Sequence, residues 1–190
     1  MSNLTPDLFG ETQATDRLFF ALFPDPDALA QIAGTGEVLR REHRLKRPVH
    51  SLDHLHITLF HLGDFVGLPR DLIRDAVSAA EAMRAAPFEV TFDHATSFPG
   101  RLGARPFILK GEEGLADLNG YRQALGQGLA EQGVRNTSAF TPHLTLLYDE
   151  AIIEPYPITP ISWIVRELVL VRSHIRKSVY EPLGRWPLQG

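Results

Sequence analysis

The sequence predicts an α+β fold: two similar lobes of antiparallel sheet with flanking helices, related by a pseudo-two-fold about a central active-site cleft. Two observations predict it. The tetrad His56-Ile57-Thr58-Leu59 returns as His143-Leu144-Thr145-Leu146, 87 residues later in a chain of 190. The order strand, helix, tetrad strand also occurs twice, with strand starts about 89 and helix starts about 88 residues apart by pattern. An internal duplication would set the two tetrads symmetrically across a lobe interface, where pockets are common.

The elements follow in order. Residues 1–16 are polar and aperiodic and read as a flexible leader, with one bilobal domain over 17–190. Arg17–Phe23 is a buried strand. Asp25 caps a helix that carries Pro26 in its first turn and runs to about Glu42. Ala28, Leu29, Ile32, Ala33 and Leu39 form its apolar face, while Gly34 and Gly36 weaken it. The first tetrad strand spans about Leu55–His61. A helix covers Pro69–Ala85, and Phe88–His94 alternates as a strand. Phe98–Arg105 is a Gly/Pro/Arg loop, and Phe107–Lys110 is a strand. Leu115, Leu118, Tyr121, Leu125 and Leu129 mark a third helix. Ala139–Tyr148 is the second tetrad strand. Glu150–Pro160 is Pro-rich and expected as loop. Val165–Val171 is a strong strand, and Val179–Leu188 another with breaks at Pro182 and Gly184. Trp163, Trp186 and Tyr121 read as core.

Each tetrad carries chemistry because strand side chains alternate faces. His56 and Thr58 share one face and Ile57 and Leu59 the other; His143 and Thr145 oppose Leu144 and Leu146 in the same way. The aliphatic face anchors in a core, and an imidazole and a hydroxyl stand along the opposite face. Imidazole gives or takes a proton near neutral pH. A hydroxyl can donate to a phosphoryl oxygen. Two facing imidazoles can act as acid and base together, which suits phosphoester chemistry without a metal.

Composition narrows the class. Apolar residues make up 44% and charged residues 22%, ordinary for a globular protein. There is no cysteine, which excludes disulfides, Cys-type zinc sites and thiol nucleophiles. No apolar run approaches a membrane span, and cytoplasm is the expected compartment. A net charge of −4 is not that of a protein that coats nucleic acid. A local basic patch could still grip one end of a nucleic acid, drawn from Arg44, Lys46, Arg47, Arg101, Arg105, Lys110, Arg135, Arg172, Arg176 and Lys177. A metal reading draws on His50, Asp53, His54, His56 and His61. Strand alternation puts His61 on the opposite face from His54 and His56, and no carboxylate stands at an obvious ligand spacing. His94 and His174, at strand ends, read as exposed or core-edge residues.

With these motifs the chain resembles the 2H phosphoesterase superfamily, and within it the RNA 2′,3′-cyclic phosphodiesterases also known as 2′-5′ RNA ligases (LigT/ThpR-like). The resemblance covers roughly residues 17–188. It includes Arg17-Leu18-Phe19-Phe20-Ala21-Leu22, both tetrads, Leu62-Gly63-Asp64, Phe98-Pro99, Phe140-Thr141-Pro142 and Leu168–Ser173. It implies a metal-independent hydrolase that opens ribose 2′,3′-cyclic phosphates to 2′-phosphates. Some members join tRNA halves through a 2′-5′ linkage. The implied roles are His143 as base, His56 as acid, and Thr58 and Thr145 as phosphate ligands. No metal or cofactor is implied. The substrates are RNA 3′ ends or cyclic nucleotides, and the simplest expectation is a monomer. Two positions depart from the family pattern. Tyr148 stands where relatives often carry Arg, and Lys110 where they often carry Trp. Lys110, Tyr148 and Arg176 are therefore the candidate substrate contacts. The alternatives are a non-catalytic module that binds RNA ends or nucleotides, and a related phosphoesterase with a different cyclic-phosphate substrate.

Overall fold

A computed structural model describes residues 13–101, 103–134 and 139–189. All but the last four residues of the expected leader, and Arg135, lie outside the described residues. Eight strands form one antiparallel sheet in the order β6-β3-β4-β5-β2-β1-β7-β8. They are β1 (Asp16–Leu22), β2 (Ile57–Phe65), β3 (Phe88–Ser97), β4 (Arg105–Lys110), β5 (His143–Asp149), β6 (Tyr156–Val165), β7 (Glu167–His174) and β8 (Val179–Pro187). Three helices connect them: α1 (Pro26–Glu42), α2 (Arg70–Ala82) and α3 (Ala116–Glu131).

The two lobes are the two four-stranded halves of this sheet. β2 and β5 meet at the centre through one ladder pair, Ile57 with Leu144. The duplication reaches into the register at the same 87-residue offset. Phe19 faces His61 and Ala21 faces Thr58 across β1 and β2; Pro106 faces Tyr148 and Ile108 faces Thr145 across β4 and β5. Each half carries a register shift at the matching place, between Phe20 and Ala21 and between Phe107 and Ile108.

The helices cover one face only. Ala28, Ile32 and Leu39 of α1, Ala76, Ala79 and Ala80 of α2, and Leu118, Leu125 and Leu129 of α3 join one buried cluster with Leu22, Ile57, Val90, Phe92, Leu109, Leu144 and Leu146. Asp25 caps α1 as expected, its carboxylate accepting from the Ala28 amide at 2.9 Å. Gly36 is a point of close approach: a β-carbon there would stand 3.2 Å from Leu146 and Val49. A smaller cluster of Phe19, Ala21, Val169 and Val171, with Phe23 and Tyr180 beside it, contains no helix residue. It forms the floor of the opposite, uncovered face.

The structure corrects several expectations. Residues 156–160 belong to β6 despite Pro157 and Pro160. β6 is an edge strand paired only with β3, so it has an unpaired side on which a missing N–H costs nothing. β8, the other edge, likewise runs unbroken through Pro182 and Gly184, with a register shift there. Val165 ends β6 rather than opening the next strand. Trp163 and Tyr121 are buried and Trp186 packs against the same core.

Candidate active site

Both tetrads open onto one cleft of about 610 Å³ on the uncovered face, lined by Arg17, Phe19, His50, His54, His56, Thr58, His61, His143, Thr145, Tyr148 and Tyr180. The local cause is strand alternation. Ile57 and Leu144, both fully buried, point into the helix-covered core. Their neighbours His56, Thr58, His143 and Thr145 must point the other way. The single ladder pair at the centre thus brings all four expected polar side chains together.

The two imidazoles are held alike. His56 Nδ1 donates to the His54 carbonyl at 2.8 Å, and His143 Nδ1 donates to the Thr141 carbonyl at 2.7 Å. A carbonyl can only accept, so the proton sits on Nδ1 in both rings. Nε2 is left for the cleft, and in His56 it lies 3.1 Å from the Thr58 hydroxyl. Aromatic rings pack around both. Phe19 stacks on His56 with centroids 5.0 Å apart, with Phe23 and the edge of Tyr180 also against it. Phe98 packs on His143 at 4.9 Å.

Electrostatics follow from that packing. Burial drives His56 down to about 4, aided by the like charges of His54, His50 and His143. Burial also lowers His143, against the pull of its carbonyl partner. His50 falls for the same first reason, with His54 adding to it. At neutral pH His56 and His143 are therefore neutral, and the Nε2 lone pair of His56 accepts from the Thr58 hydroxyl.

The cation lining the cleft is Arg17, a residue that patterning alone places in a buried strand. Arg17 donates to both oxygens of Asp64, at 2.7 and 2.8 Å, from β1 across to β2. That fork and a further bond from His61 hold the Asp64 carboxyl at about 2. Gly63 precedes it with φ +143°, and a β-carbon there would strike the Phe65 ring at 2.6 Å, so the bend requires glycine.

His61 lines the cleft, contrary to strict alternation. Leu59 and Phe60 are both buried in the helix-side core, and the register shift beside them returns His61 to the face of Thr58. In β5 the buried doublet Leu146-Leu147 does the same for Tyr148. The doublets were the available signal, because two successive apolar residues break period two.

The remaining candidates are spread out. Tyr148 lines the cleft, 43% exposed, with its ring edge-on to His50 at 5.6 Å. Lys110 is the β4 partner of His143, but it turns to Glu112 at 3.4 Å and is not among the lining residues. Arg176 lines a separate hollow beside the cleft. His94 pairs with Asp93, and His174 with Glu181. Of the basic candidates, Lys46 and Arg172 are engaged by Glu150 and by Asp16 with Glu181. Among the described residues no group of His, Asp and Glu is arranged to hold a metal ion. No described helix is long and apolar enough to cross a membrane.

Comparison with known proteins bears on the family and the fold. A model of the 2′-5′ RNA ligase superfamily matches residues 24–176. The fold is similar to that of E. coli LigT crystallised with 3′-AMP, at 27% identity and a TM-score of 0.70 over 93% of this chain and 99% of that one. It is similar to a phosphoesterase at 25% identity and 0.69, over 92% and 99%. TT0787 of Thermus thermophilus, at 24% identity and 0.71 over 92% and 98%, shares the fold. Against curated protein sequences the chain has no significant match.

Proposed function

Because the chain belongs to the 2′-5′ RNA ligase superfamily of 2H phosphoesterases, we propose that it is a metal-independent phosphodiesterase that opens ribose 2′,3′-cyclic phosphates to 2′-phosphates. One observation carries the reading: two neutral imidazoles, each with Nδ1 on a carbonyl two residues upstream, present Nε2 to one cleft beside a Thr hydroxyl.

Water attacks the cyclic phosphorus in line with the ribose 3′-oxygen. The P–O3′ bond breaks as the new P–O bond forms. His143 takes the proton of the water, and His56 gives one to the departing oxygen. His56 is neutral in the empty cleft, so it must first gain a proton. The bound anionic phosphate supplies the opposite charge that its apolar surroundings lack, and so raises its basicity. Thr58 and Thr145 donate to the non-bridging oxygens and hold charge where it gathers. Arg17 supplies the cation that Tyr148 does not, and Tyr148 and Tyr180 are aromatic walls for the nucleoside. The substrates are cyclic nucleotides or RNA 3′ ends. E. coli LigT, crystallised with 3′-AMP and with ATP, supports a nucleotide ligand here. Joining of RNA ends through a 2′-5′ linkage is the reverse use of the same groups.

The test is incubation with a 2′,3′-cyclic nucleotide and identification of the product. A 2′-phosphate is expected. Tight binding with no turnover would favour the non-catalytic module instead.

A further inference from the structure

We propose that the hollow next to the cleft binds a second phosphate of the substrate, which makes this chain selective for substrates carrying another phosphate beside the cyclic one. This rests on the reading of the cleft given above. The hollow, about 210 Å³, shares Arg17, His54 and Tyr180 with the cleft and adds Ser173, Arg176 and Ser178. Two guanidiniums and two hydroxyls around one small space are donors suited to a phosphate.

The backbone gives a second reason. Three described non-glycine residues have positive φ, and two of them, Arg176 at 68° and Ser178 at 49°, stand in the β7–β8 turn and line this hollow. Left-handed backbone at a non-glycine residue costs free energy and concentrates at functional sites. Here it presents a guanidinium and a hydroxyl to the same side.

His54 forms part of the wall between the two spaces. It lies against Tyr180 with ring centroids 4.2 Å apart, and its Nδ1 donates to the Asp53 carboxylate at 3.1 Å.

The existing contacts leave room for an anion. Arg17 gives Nε and Nη2 to Asp64, and Arg176 gives Nη2 to Gln13. A guanidinium has five N–H groups, so both keep donors. Glu181 and Asp16 are nearby, but Arg172 and His174 engage them. Because the spaces adjoin through three shared side chains, the second phosphate must sit close to the first along the same molecule. It is either the next internucleotide phosphodiester or a 5′-phosphate on the same nucleoside.

The experiment compares three substrates: a nucleoside 2′,3′-cyclic phosphate, the same compound with a 5′-phosphate, and a dinucleotide ending in the cyclic phosphate. The chain is tested as it is and as Arg176→Asn, which removes the cation while suiting the left-handed backbone. The expected result is a kcat/KM at least tenfold higher for one of the two-phosphate substrates, carried by KM. That preference should fall to within about twofold in the variant. The arm that shows the gain identifies the source of the phosphate. Binding of the matching 2′-phosphate products is measured in parallel, so that a chain without turnover still reports on the hollow. Equal constants for one- and two-phosphate ligands, or a preference that survives Arg176→Asn, would overturn the proposal. Absence of turnover with the binding preference intact would overturn the catalytic reading alone.

Discussion

Replacing His56 by Gln should make the protein less sensitive to acid, although it removes the proposed acid. His56 sits at about 4 in the folded chain against an ordinary 6.5. Above pH 6.5 the ring is neutral both folded and unfolded, so it adds no pH dependence. As pH falls below 6.5 the unfolded chain takes up a proton that the folded site refuses until about 4. The unfolded state then binds more protons, and stability declines over that window. At pH 5 the loss attributable to this one ring is about 2 kcal/mol, from about 1.36 kcal/mol per pKa unit. His143 and His50 are lowered in the same direction, but they are present in both proteins and cancel in the comparison. Urea unfolding at pH 8 and pH 5, for the parent and His56→Gln, gives the double difference. The parent should lose about 2 kcal/mol more than the variant. A double difference below about 0.5 kcal/mol would refute burial as the cause of the neutral imidazole.

Other perturbations test other parts. His56→Ala and His143→Ala should each lower kcat by about 10²–10⁴ with near-native circular dichroism. Thr58→Val and Thr145→Val should cost less than either His variant, because each removes one donor and leaves proton transfer in place. Asp64→Asn should free the Arg17 fork and raise KM severalfold, with little change in the pH profile of kcat. Leu144→Ala, at the one ladder pair that joins the two halves, should cost about 2–5 kcal/mol of stability in denaturant unfolding. Prolonged dialysis against EDTA should leave turnover intact; loss restored by a divalent cation would point to a metal instead.

The four polar residues of the tetrads were legible because alternation dictates which side chains share a face, and the buried Ile57 and Leu144 fix that face locally. The α1 start was legible because Asp25 and Pro26 act through adjacent backbone atoms. What escaped depends on partners distant in sequence. His61 was assigned to the wrong face because a register shift against β1 restores it to the cleft side. Arg17 read as part of a buried strand, and its role emerges only when Asp64, 47 residues on, is paired beside it. The strand from Tyr156 to Pro160 was hidden by its prolines, which are harmless only because topology places β6 at an edge. The Arg176 hollow exists because the β7–β8 turn packs beside β1, a neighbourhood that no spacing announces.

The most direct measurement is turnover of a 2′,3′-cyclic nucleotide by the parent chain, His56→Ala and His143→Ala, with the product assigned by phosphorus NMR. A facing-imidazole pair predicts a 2′-phosphate from the parent and loss of turnover in each variant alone. A 3′-phosphate product, or near-normal turnover in either variant, would contradict it.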